Sequence, residues 1–132
     1  MRKKSAILVL LLLLVAGFAA CSKPLFSIDP SEVSKIEMRS GNTGIPITIV
    51  DRTVIDDVIN KLNGFSYVQK YQEIAYGWML AVEIYDLQNN LAYGIGSTGS
   101  ILDYNQFRYQ PSEASQATLG YLQSIYDSEL EK

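Results

Sequence analysis

The stretch from Ala6 to Ala20 is almost wholly aliphatic, with five consecutive leucines at Leu10 to Leu14, and it ends at Cys21. Arg2, Lys3 and Lys4 precede it, and Gly17, Ala19 and Ala20 put small residues ahead of the cysteine. A basic start, an apolar centre and a small-residue end make an export signal over residues 1–20. The run is about fifteen residues long, short of the roughly 20 that a membrane-spanning helix needs. This feature constrains the fold first, because it takes the most hydrophobic part of the 132 residues out of the folded domain. What remains has the length of one domain.

Phe18-Ala19-Ala20-Cys21 resembles the bacterial lipobox, whose cysteine carries diacylglycerol and becomes the mature N-terminus. Cys21 is the only cysteine, so no disulfide can form within the chain. An exported protein with one cysteine at this position is best explained by lipidation. Cys21 is therefore expected to be an acylated anchor that holds the domain at the extracytoplasmic face of the cell membrane. Palmitate-class chains contribute about 0.8 kcal/mol for each buried methylene, so two or three of them make the attachment nearly permanent. Residues 21–31 contain Pro24 and Pro30 and no sustained period, and they read as a tether. The fold is expected to occupy 32–132.

The chain has no histidine, which removes histidine acid/base chemistry and most metal sites. Neither a metal nor a cofactor is expected. Once the signal is gone, eight basic side chains stand against fourteen acidic ones, with no basic cluster. That balance points away from nucleic acid, whose phosphates need grouped lysine and arginine.

Hydrophobic periodicity predicts the elements. Val33 to Arg39 alternates around Ile36 and Met38, Ser40 to Gly44 turns the chain, and Ile45 to Val50 forms a second strand. From Asp51 the period changes: Val54, Ile55, Val58, Ile59 and Leu62 share one side of a helix of about eleven residues, capped by Asp51 or Thr53 and stopped at Gly64. Strands follow at Phe65 to Tyr71 and Gly77 to Tyr85. In the second of these Trp78, Leu80, Val82 and Ile84 alternate with Met79, Ala81, Glu83 and Tyr85. Asp86 to Asn90 turns into a strand carrying Leu91, Tyr93 and Ile95, where Gly94, Gly96 and Gly99 suggest a bulge or a close backbone approach. Ser100 to Tyr109 forms a further pair of short strands turning near Tyr104 and Asn105. Pro111 and Ser112 then open a last helix with the stripe Ala114, Thr118, Tyr121, Leu122 and Ile125, and Ser128 to Lys132 frays. Strands arranged in hairpins predict an α+β fold, an antiparallel sheet covered by two helices.

The Lys35-Ile36-Glu37-Met38 strand, the Gly41-Asn42-Thr43-Gly44 turn and the acidic amphipathic helix up to Leu62 resemble a group of uncharacterised small lipoproteins of Gram-positive, clostridia-like bacteria. Residues 76 to 86, Tyr-Gly-Trp-Met-Leu-Ala-Val-Glu-Ile-Tyr-Asp, are similar to the central strand of the same group. The resemblance covers about half of the mature chain and implies location and fold class alone.

For chemistry, the adjacent Asp56 and Asp57 point about 100° apart on a helix and do not share a substrate. Glu83 lies in an apolar strand, which predicts a wet face with Lys35, Arg39 or Arg108 as cross-strand partners. A hydrolase would need a second carboxylate about 5 to 9 Å away, and Asp103 is the candidate. The oxygens of Asp86, Gln88, Asn89 and Asn90 lack calcium-loop spacing. Gly94-Ile95-Gly96-Ser97-Thr98-Gly99 fits Gly-x-Gly-x-x-Gly, but strand-like sequence follows where a dinucleotide site needs a helix, so no nucleotide is expected.

Nine tyrosines are the strongest remaining feature. Tyrosine offers rigid contact area with a polar tip. The expected function is non-catalytic binding of a protein, peptide or envelope polymer through Tyr71, Tyr76, Trp78 and Tyr104. An accessory or immunity-type lipoprotein docking through the helix face at Asp56, Asp57 and Lys61 is the alternative, and a histidine-free hydrolase using Glu83 and Asp103 a remoter one.

Overall fold

The computed structural model describes residues 24–72 and 77–132. A 3₁₀ turn at Pro30–Glu32 leads into β1 (Val33–Ser40) and β2 (Pro46–Ile49), followed by α1 (Arg52–Asn63) and β3 (Tyr67–Tyr71). Then come β4 (Leu80–Asp86), β5 (Leu91–Ser97), β6 (Leu102–Tyr104), β7 (Phe107–Pro111) and α2 (Glu113–Leu130). The strands form a seven-stranded sheet in the order β2-β1-β4-β5-β6-β7-β3, with every neighbouring pair antiparallel. This is the α+β fold of hairpins and two helices that the alternation predicts.

One face of the sheet is buried. Ile36 opposes Ile84, and Met38 opposes Val82, which opposes Ile95. These side chains join Ile49, Leu80, Leu102 and Tyr109 in one core with Ile55, Val58, Ile59 and Leu62 of α1 and Leu119, Leu122 and Tyr126 of α2. Both helices therefore cover the same face, and α1 is amphipathic as its sequence requires. Its cap is Asp51, whose carboxylate accepts from the Val54 N–H at 3.1 Å. Gly64 ends it with φ −85°, so a right-handed conformation open to any residue closes the helix.

Four details depart from the sequence expectation. Residues 24–31, read as tether, carry Phe26 and Ile28 into the core at 1% and 7% exposure. Asn63 clamps this segment, accepting from the Ile28 N–H at 2.9 Å and donating to its C=O at 2.8 Å. The packed domain thus begins near Leu25, upstream of Glu32, because the end of α1 and the rings of Tyr93 and Tyr104 leave a place that Phe26 fills.

Trp78, which simple alternation would put on the same side of β4 as the buried Leu80, is 40% exposed. The pleat starts only at Leu80, and before a strand is regular its alternation does not decide which side a residue takes. The buried side of α2 is Ser115, Thr118, Leu119, Leu122 and Tyr126, while Ala114 is exposed. Polar tips set that rotation: Ser115 Oγ accepts from the Ser66 N–H at 2.8 Å, and Tyr126 donates to the Ile45 C=O at 2.8 Å. Ser128 to Leu130, expected to fray, stay helical.

Candidate functional site

The face of the sheet that neither described helix covers follows from the same alternation. Register aligns one residue from each strand across it: Pro46, Arg39, Ala81, Gly96, Asp103, Arg108 and Tyr71. A second row holds Thr48, Glu37, Glu83 and Gly94. Small residues at Ala81, Gly94 and Gly96 leave the middle of the face low, and larger side chains stand around it.

Two shallow hollows result. One, of about 210 Å³, lies between Glu37, Arg39, Pro46, Trp78, Ala81 and Glu83. The other, of about 350 Å³, shares Trp78, Ala81 and Glu83 and reaches Gly94, Gly96 and Asp103. The larger falls within the roughly 300–1,000 Å³ usual for small-ligand sites. Trp78 stands at their junction, its Cβ 3.7 Å from the position a Cβ would take on Gly96. Gly41 holds the indole there from the other side. A Cβ on Gly41 would lie 1.9 Å from the Trp78 carbonyl oxygen, and the Gly41 N–H donates to the Met79 C=O at 2.9 Å.

The charges of the face are arranged in pairs. Glu37 and Glu83 stand directly opposite each other, a placement that like charges disfavour. Lys35 meets Glu37 at 2.7 Å, and the Tyr85 hydroxyl donates to Glu83 at 3.0 Å, with Glu37 at 3.4 Å. The bond to Glu83, reinforced by burial and by the charges of both glutamates, pushes the Tyr85 phenol up to about 12. The Lys35 ammonium lies 4.5 Å over the Tyr85 ring. Asp103 accepts from Arg108 Nε at 2.9 Å. The other oxygen of Asp103, Oδ2, is buried with no hydrogen-bond partner, and among the described residues no other buried side-chain polar atom is so placed.

Of the four residues expected to bind, Trp78 lies on this face. Tyr71 opposes Arg108 at its far edge and is 39% exposed. Tyr104 reaches the rim, but its ring turns to the covered face, 4.9 Å from Phe26 and 6.2 Å from Tyr93, and burial there raises its pKa. It is not part of the open surface, because alternation puts it in line with Ile95 on the core side. Tyr76 and the proposed lipid site Cys21 lie outside the described residues. The sequence does not single out Glu37, and it marks Arg39 as a cross-strand partner of Glu83, and Gly94 and Gly96 as a bulge or close backbone approach, not as parts of a binding face.

The two residues of the hydrolase alternative share the face without meeting closely. Asp103 is two strands across and two residues along from Glu83, which places their Cα atoms about 12 Å apart. The carboxylate facing Glu83 is Glu37. On the helical side, Asp56 pairs with Arg52 at 3.3 Å, and Lys61 lies 5.4 Å over the Tyr121 ring. Arg52 also donates to the Val33 C=O and the Pro30 C=O, which fastens α1 to the start of β1. Asp86 closes its hairpin by accepting from the N–H groups of Asn90 and Gln88, and the Asn90 bond chiefly holds its pKa below the ordinary value. Gly94 and Gly96 sit inside β5, and β6 follows them. Among the described residues no cluster of acidic or cysteine side chains could hold a metal ion, and no helix is long and apolar enough to cross a membrane.

Compared with family models, curated proteins and solved structures, the chain finds no match in any of the three. The functional reading therefore rests on the geometry of the open face.

Proposed function

We propose that this chain is a lipoprotein anchored through Cys21 at the extracytoplasmic face of the cell membrane, and that its domain binds an envelope ligand without catalysis. The observation that carries the binding role is the open sheet face, where Trp78 stands half-exposed beside a floor of Ala81, Gly94 and Gly96. A monomer that only needed to be soluble could fill such a floor with ordinary polar side chains. The paired state of Glu37, Glu83 and Asp103 supports a binding role over a catalytic one, since each already has a partner that holds it in place.

Export supports the same reading, because a ligand site outside the cell needs a tether to stay near the envelope. Two measurements test it. Replacing Cys21→Ser should move the protein from the membrane fraction to the soluble fraction and abolish incorporation of labelled palmitate; retention at the membrane with no label overturns the anchor. A photoreactive residue at Thr48, on the same face, should crosslink to an envelope component in intact cells, whereas one at Asp57 on α1 should not. Capture only from Asp57 would move the function to the helices and make the chain an accessory subunit.

A further inference from the structure

The charges, the indole and the floor of the open face together restrict what fits it. Among the described residues of the face, Lys35, Arg39 and Arg108 balance Glu37, Glu83 and Asp103. A polyanion or a polycation gains little from such a surface. The carboxylates keep free acceptor lone pairs after their salt bridges are made, and Arg39 contributes donors. Oδ2 of Asp103 is an acceptor without a donor in the wall of the larger hollow, and the soft carboxylate torsion lets it turn toward one. Acceptors and donors without excess charge match a ligand rich in hydroxyl groups.

The shape agrees with this chemistry. Trp78 offers a flat apolar ring at the junction of the two hollows. Gly94 and Gly96 let a flat ligand rest against the backbone of β5, and among the described residues nothing lies within 4 Å of where a Cβ on Gly94 would stand. From β1 to β6 the polar rows run about 14 Å across the strands, longer than one sugar ring. From these observations we infer that the open face binds a neutral carbohydrate chain laid across the strands, with a pyranose ring stacked on Trp78 and its hydroxyls shared between Glu37, Arg39 and Glu83.

This rests on the reading of the open face as the binding site and names its ligand class. Trp78 is the single tryptophan of the chain, so selectively excited tryptophan emission reports on this place alone. The test titrates the full-length protein in detergent with cellotetraose, mannotetraose and chitotetraose, and separately with tetralysine and tetraglutamate. At least one glycan is expected to shift Trp78 emission saturably, and neither peptide to do so. Gly94→Leu fills the floor at a position with open space and no positive φ; it should weaken glycan binding at least about tenfold while the thermal midpoint holds.

Silence from every glycan overturns the carbohydrate inference, as does saturation by a charged peptide alone. In either case capture from Thr48 keeps the open face as the binding site. Glycan binding that Gly94→Leu leaves unchanged places the ligand elsewhere and overturns both.

Discussion

At the scale of single residues, Trp78 shows how a side chain that alternation aligns with the buried Leu80 comes to line a surface. Its carbonyl and ring occupy the space that any side chain on Gly41 would need, so Gly41 is the residue that lets the chain pass close enough to place the indole. Gly41→Ala forces that contact apart. It should cost about 1–3 kcal/mol, as overpacking does, seen as a lower denaturant midpoint together with a changed Trp78 emission; a mutant with native midpoint and emission would show that Gly41 does not hold Trp78. Tyr85 makes a different prediction. Its pKa is raised from 10.0 to about 12 by the bond to Glu83 first and then by burial and the charges of Glu83 and Glu37. A phenol that keeps its proton more tightly when folded stabilises the fold fully below pH 10 and loses that contribution as pH rises through about 12. Tyr85→Phe should remove a phenol that titrates at about 12 from the tyrosinate titration and flatten the fall in stability over that interval.

At the scale of elements, most of the secondary structure was legible. The Asp51 cap, the α1 stripe and the turn between β6 and β7 follow from local chemistry, and Asn105 and Gln106 take the positive φ values, 51° and 68°, that a tight hairpin asks of both turn residues. What was not legible is how elements settle against each other. The stripe of α2 turned out rotated, since the hydroxyls of Ser115 and Tyr126 find partners in Ser66 and Ile45, which sequence distance conceals. The segment before β1 was similarly opaque: two prolines look like a linker until Asn63, 35 positions away, satisfies both backbone groups of Ile28. Asn63→Ala strips those partners. The expected loss is about 1–3 kcal/mol, the cost of leaving buried polar groups unmade, and an unchanged midpoint in urea would mean the segment is held by Phe26 alone.

At the scale of the whole molecule, β3 is the element whose position matters most and whose sequence says least about it. It follows α1 but pairs with β7 at the far edge, while β4 inserts beside β1. β3 has one neighbour and all five of its residues are exposed, whereas β1 and β4 are each flanked on both sides. Amide exchange is therefore expected to be fastest in β3 and slowest in β1 and β4, and equal protection across the sheet would contradict this ordering. The strand order also creates the candidate site, because it brings Arg39, Ala81, Gly96, Asp103 and Arg108 into one row. By itself the sequence determined the class of fold, the strands and helices, the side of each regular strand that faces the core and the expectation of export, because periodicity and turn chemistry act over a few neighbouring residues. Only the tertiary structure decided which strands lie side by side, where Phe26 and Trp78 go and which charges meet on the open face. Those outcomes depend on burying one shared core, a condition that no short stretch of chain carries.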